Sequence, residues 1–167
     1  MNLKHYSNKS KIMNFNIGIS DNDLFDIICP NYYLTMNEFI VSLEHSKYVA
    51  TKNIDLITRN DVDNKNYVLT TLDRCDIIFS ITDNLIVVGI ALLQLGFDHT
   101  IYIYGMYTSE TNEKKYGTYL MNMIKYMCKN INIKKIILSP IDNVVESFYV
   151  KNNFNKSQCD NFYYFNL

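Results

Sequence analysis

Residues 100–119 read TIYIYGMYT, then SETNEKK, then YGTY, and the change of period inside this stretch decides the fold. Thr100 to Thr108 is β-branched and aromatic and is bounded by polar residues, which predicts a buried strand. From Tyr116 the apolar residues Leu120, Met123, Ile124, Met127 and Ile131 recur at helical spacing, which predicts an amphipathic helix. One short polar connection joins the two, ending in Lys114-Lys115-Tyr116-Gly117-Thr118-Tyr119. The leading N–H groups of a helix lack intrahelical partners and carry the positive end of its dipole, and Gly117 lets a ligand approach the backbone. That junction is a candidate anion site. It lacks both the GxxxxGK[ST] of a P-loop and the GxGxxG of a dinucleotide fold.

Working outward, KKIILS (134–139) follows the helix as a strand, and DNVVESFYVKNNF (142–154) as a second short helix with a turn. A strand reached through a crossover helix runs parallel to the one before it. Upstream, Asp76 to Thr82 and Leu85 to Leu95 read as strands, with turns at Asp83-Asn84 and at Gly96 to His99, so Thr100 to Thr108 closes an antiparallel set. Lys11 to Ser20 is expected to be the first strand. Ser20 or Asp21 then caps a short helix that Pro30 closes, and Thr35 with Glu38 forms a capping-box pattern for a second helix running to about Ser46. Thr51 to Asn66 is polar and reads as a long loop, either a functional flap or an excursion. DNFYYFNL (160–167) supplies the last strand, and no internal repeat or linker interrupts the chain.

At 167 residues the length favours one domain, and 48% hydrophobic residues suffice for a core. A net charge of −1 gives no basic face for nucleic acid or an anionic membrane, and the longest apolar run, Leu85 to Leu95, is too short to span a bilayer. Cys29, Cys75, Cys128 and Cys159 are widely separated, without metal-ligand spacing, so buried free thiols, no bound metal and a soluble, intracellular, cytoplasmic protein are expected.

The order of these elements resembles the acetyl-CoA-dependent N-acetyltransferase superfamily (GNAT). KKYGTY follows that family's Q/R-x-x-G-x-G/A, with Lys114 in place of Gln or Arg and Tyr119 in place of the final small residue. DNVVESFYVKNNF aligns with N-x-x-A-x-x-x-Y-x-x-x-G-F: Tyr149 and Phe154 match, Val145 stands for the small residue, Asp142 for Asn and Asn153 for Gly. Asn is the next best residue at a left-handed helix end.

The resemblance implies an α/β (mixed α+β) fold: a mixed, mostly antiparallel sheet of six to seven strands flanked by about four helices. It implies acetyl-CoA as cofactor, with pantetheine along Met106, Tyr107 and Thr108 and the pyrophosphate on Lys114, Lys115, Tyr116, Gly117, Thr118 and Tyr119. It also makes Tyr149 the proton donor to the departing thiolate and gives the acetyl group to a small-molecule or peptide amine. Tyr32 and Tyr33 are candidate acceptor contacts, and Asp21, Asp23 and Asp26 a local acidic group. Tyr102, Tyr104, Glu110 and His99 are candidate bases, beside a water relay. Asn143 with Glu146 makes a capping-box-like pair. The competing readings are a catalytically silent acyl-CoA-binding module and an interaction protein using its sheet edges. Monomer and homodimer both remain open.

Overall fold

A computed structural model of the chain describes residues 13–19, 38–109, 115–140 and 143–167. Among the described residues eight strands form one sheet in the order β2-β1-β3-β4-β5-β6-β8-β7. They are β1 (Met13–Ile19), β2 (Glu38–Ser42), β3 (Ile77–Asp83), β4 (Ile86–Leu95), β5 (Thr100–Thr108), β6 (Lys135–Leu138), β7 (Asn155–Lys156) and β8 (Tyr163–Asn166). The helices among the described residues are α1 (Leu43–Lys52), α2 (Ile54–Ile57), α3 (Val62–Thr71), α4 (Tyr116–Asn130) and α5 (Asn143–Lys151). The mixed α/β class and the mostly antiparallel sheet agree with expectation, with eight strands where six to seven were expected.

Central β4 shows why a continuous apolar run makes a doubly covered strand. Val88, Ala91 and Leu93 join the core beneath α4, whereas Val87, Ile90 and Leu92 join the core beneath α1, α2 and α3. Asn84 and Leu85 both take positive φ (52° and 67°), the geometry of a two-residue hairpin turn between β3 and β4. The turn is thus Asn84-Leu85, one residue later than expected. Asp98 and His99 take positive φ at the next turn, with the Gly96 N–H donating to the Thr100 carbonyl.

The N-terminal half departs from the sequence reading. Residues 38–42, expected in a helix, form β2 parallel to β1. The EFIVS run satisfies its backbone on the sheet edge, and α1 starts only at Leu43, where the Ser42 hydroxyl accepts from the His45 N–H. The expected loop from Thr51 to Asn66 is mostly helical: it holds the end of α1, all of α2 and the start of α3, which the Asp61 carboxylate caps by accepting from the Asn64 N–H. The expected helix at 21–28, Tyr32, Tyr33 and the Asp21, Asp23 and Asp26 group lie outside the described residues. Cys75 and Cys128 are buried free thiols, as expected, but Cys159 is exposed; Cys29 is outside the described residues. Burial pushes the Cys75 thiol up to about 12. Among the described residues no helix is long and apolar enough to cross a membrane.

Gly18 marks where α1 meets the sheet. A Cβ there would lie 2.1 Å from Ser46 Oγ and 2.4 Å from Ser46 Cβ. Gly18→Ala is therefore expected to cost about 2 kcal/mol of stability by overpacking. Urea denaturation reads this, and an unchanged midpoint would contradict the close approach.

Candidate active site

The site begins where two parallel strands part. β6 pairs with β5 from Thr100↔Lys135 to Ile103↔Leu138 and ends there, while β5 continues to Thr108 against β4 on its other edge. From Tyr104 onward β5 has no β6 partner, so its backbone groups on that side face a gap. The ladder between β4 and β5 slips at this point: Leu92 opposes Gly105 and Leu93 opposes Ile103, leaving Tyr104 as the extra residue of a bulge. The Tyr104 carbonyl accepts from the Tyr67 hydroxyl at 3.1 Å, which ties the bulge to α3.

A cleft of about 390 Å³ occupies the gap. β5 from Ile103 to Thr108 forms one wall, Leu138-Ser139-Pro140 with α5 the other, and the α2–α3 connection closes one side. Met106, Tyr107, Thr108, Gly117 and Tyr149 all line it, so five of the expected site residues meet in one place. Lys115, Tyr116, Thr118 and Tyr119 stand at the adjoining start of α4 without lining the cleft, and Lys114 and Glu110 lie outside the described residues.

At that start Lys115 is left-handed (φ 48°), and its side chain makes no cap hydrogen bond. The Thr118 and Tyr119 N–H groups donate to the Lys115 carbonyl at 3.0 and 3.1 Å. Both N–H groups thus have a partner within the chain. Gly117, one residue before them in the first turn of α4, borders the cleft. The Tyr116 hydroxyl points the other way and donates to buried Asp83 at the end of β3. Tyr116→Phe is expected to cost about 1.5 kcal/mol, as for a hydrogen bond to a charged group. A denaturation midpoint equal to wild type would contradict this.

Tyr149 is 9% exposed and packs against two aromatic rings. Phe148 and Phe154 meet it edge-on, with centroids 5.3 and 5.9 Å away. The end of α5 is a Schellman motif, in which the Phe154 N–H donates to the Tyr149 carbonyl and the Asn153 N–H to the Val150 carbonyl. Asn153 has φ 64°, the left-handed position expected of it. Glu146 pairs with Lys156 at 3.3 Å.

The expected bases fare differently. The Tyr104 hydroxyl donates to Gln94, Tyr102 is exposed, and His99 sits in the turn at the far end of β5. Neither a carboxylate nor an imidazole is among the described residues lining the cleft. The sequence reading missed the contribution of α2 and α3: Ile57, Thr58, Arg59 and Asn64 line the cleft, and Arg59 Nε donates to the Thr108 carbonyl at 3.0 Å. These residues fell in the supposed loop. Their signal was Asp61 as a helix cap. It also missed the Tyr107 side chain, whose hydroxyl is buried without a hydrogen-bond partner among the described residues. Burial raises its pKa well above the ordinary tyrosine value, with Tyr67, Tyr149 and Asp61 adding to the shift.

No protein-family model and no curated protein matches the chain. Solved structures do. A GNAT-family acetyltransferase from Staphylococcus aureus Mu50 aligns over 93% of this chain and 99% of its own, with a TM-score of 0.56 and 18% identity. The catalytic domain of the Tetrahymena GCN5 histone acetyltransferase, in complex with coenzyme A, aligns over 89% and 80% with a TM-score of 0.57 and 19% identity. The PaiA N-acetyltransferase of Thermoplasma acidophilum, also in complex with coenzyme A, aligns over 75% and 92% with a TM-score of 0.53 and 18% identity. The chain therefore has the fold of the GNAT acetyltransferases.

Proposed function

We propose that this chain is a GNAT-superfamily N-acetyltransferase that uses acetyl-CoA to acetylate a primary amine of a small molecule or peptide. The observation that carries the reading is the early end of the β5–β6 ladder. It leaves β5 from Tyr104 to Thr108 without a neighbouring strand on that side, along a cleft that runs from Tyr149 to the start of α4.

These residues fit the cofactor. An extended ligand carrying amides is matched by an open strand edge, because the same backbone groups that would bind another strand can bind it. Met106, Tyr107 and Thr108 would hold the pantetheine arm through their backbone, and Gly117 at the start of α4 would hold the pyrophosphate, aided by the Lys115 charge. Lys114, Tyr116, Thr118 and Tyr119 complete the proposed phosphate-binding segment, the last two through side chains or backbone shifts rather than amides already in use. Acetyl-CoA supplies the acetyl group as an activated thioester.

Tyr149 holds a proton at Oη on the cleft wall for the departing sulfur. The packing of Phe148 and Phe154 keeps its ring in one orientation and keeps water from the ring face. The attacking amine must be neutral to offer a lone pair, so its proton has to leave. We assign that removal to water or to Glu110, which follows Ser109 just past the end of β5 in sequence. A soluble protein working in the cytoplasm, as monomer or homodimer, and without nucleic-acid or membrane partners, is part of the proposal.

The test is thiol release from acetyl-CoA across an amine panel, run beside the thermal shift given by CoA. Turnover with at least one amine and saturable stabilisation by CoA are expected. Stabilisation without turnover on any amine would replace the enzyme with a silent CoA-binding module, and neither signal would end the reading.

A further inference from the structure

The polar group of the cleft with the strongest claim to a ligand is the Tyr107 hydroxyl. Tyr107 is 8% exposed, lines the cleft, and its Oη has no hydrogen-bond partner among the described residues. Buried hydroxyls are nearly always paired, so a lone one on a residue that lines a cleft points to a partner that arrives from outside the chain. Its direction is set by Gly105. A Cβ at that position would lie 2.7 Å from Tyr107 Cε2 and 3.2 Å from Oη. The ring therefore folds back along β5 over Gly105, and the hydroxyl ends beside the bulge at Tyr104, where the two parallel strands part.

The face of the sheet says which ligand it meets. The Tyr107 ring leaves β5 toward α2 and α3 and packs in the core that contains Ile57, Val68 and Leu72. The proposed phosphate site lies at α4, whose buried side chains belong to the opposite core. A cofactor arm following the strand edge toward α4 thus passes the backbone of Tyr107 while its hydroxyl reaches to the other side of the strand. We propose that Tyr107 is an acceptor-binding residue: its hydroxyl takes a hydrogen bond from an N–H of the amine at the bulge, leaving the amine's lone pair to face the acetyl carbonyl. Gly105 is then the residue that reserves this position, since a side chain there would displace the ring.

This rests on the acetyltransferase reading above, and Tyr107→Phe tests the two apart. The hydroxyl is an unpaired buried polar group in the ligand-free protein, so its removal should raise Tm by about 2–4 °C. In the same variant KM should rise about tenfold, the loss of one hydrogen bond to substrate, for whichever of tyramine, spermidine or a lysine peptide the wild type acetylates. CoA affinity should stay at the wild-type value. A lower Tm and an unchanged KM would make the hydroxyl a structural group and overturn the inference alone. A matching loss of CoA affinity would assign it to the cofactor and also overturn it. A wild type that turns over none of the three amines would remove the acetyltransferase reading and this inference together.

Discussion

Tyr149→Phe is expected to lower kcat by about 100-fold or more, the contribution of a positioned proton donor. The affinity for CoA should stay within about twofold. The separation follows from when the hydroxyl acts: it meets charge that develops on the sulfur only as the thioester opens, and so it contributes to the transition state and little to the ground state. The phenylalanine keeps the edge-on contacts with Phe148 and Phe154, so the end of α5 should not move. Steady-state kinetics with a saturating amine, together with a CoA titration, read both quantities. A variant that turns over at the wild-type rate removes Tyr149 from the chemistry. One that loses CoA affinity in proportion to kcat makes it a binding residue instead.

Gly117→Val should weaken CoA binding on the order of 100-fold, the effect of overpacking a closely approached backbone. A Cβ at this position would stand 3.4 Å from the edge of the Phe148 ring, an ordinary contact, so Gly117→Ala should fold well and even gain helix propensity. The γ carbons of valine need further room, and the open room beside Gly117 is the cleft. The two variants together separate crowding of a ligand from damage to the fold. The ligand-free Tm of Gly117→Val should remain near wild type while its CoA titration shifts strongly. Wild-type CoA affinity in that variant would remove the start of α4 from the cofactor site.

The C-terminal half was legible because its chemistry is local. Between Thr108 and Tyr116 the hydrophobic period changes from strand to helix, and the structure begins α4 at Tyr116, as the spacing predicts. Asn153 announced a left-handed helix end because few other residues tolerate it, and the Schellman bonds that orient Tyr149 follow from that position. The N-terminal half turned on contacts distant in sequence. Glu38–Ser42 carries a pattern fit for a helix start, yet it pairs with β1, and only the neighbouring strand decides that. Val62–Thr71 is polar on most of its surface, with Val68 and Thr71 its buried residues, so little periodicity betrays the helix. Its neighbour Arg59 reaches Thr108, 49 residues later, and no local rule brings that pair together. The bulge at Tyr104 is equally hidden, since it depends on the register of β5 against β4. As a result, the backbone side of the cleft could be anticipated, whereas the side contributed by α2 and α3 could not.

The central claim is that the open edge of β5 and the start of α4 take the cofactor. A CoA titration followed by amide NMR tests it most directly, since it reads each backbone N–H in turn. The account predicts saturable shifts confined to residues 104–108, 115–119 and the neighbouring end of β6, with Gly117 among the largest. Shifts that leave these amides unmoved, or that cluster on β1, β2 and α1, would contradict it.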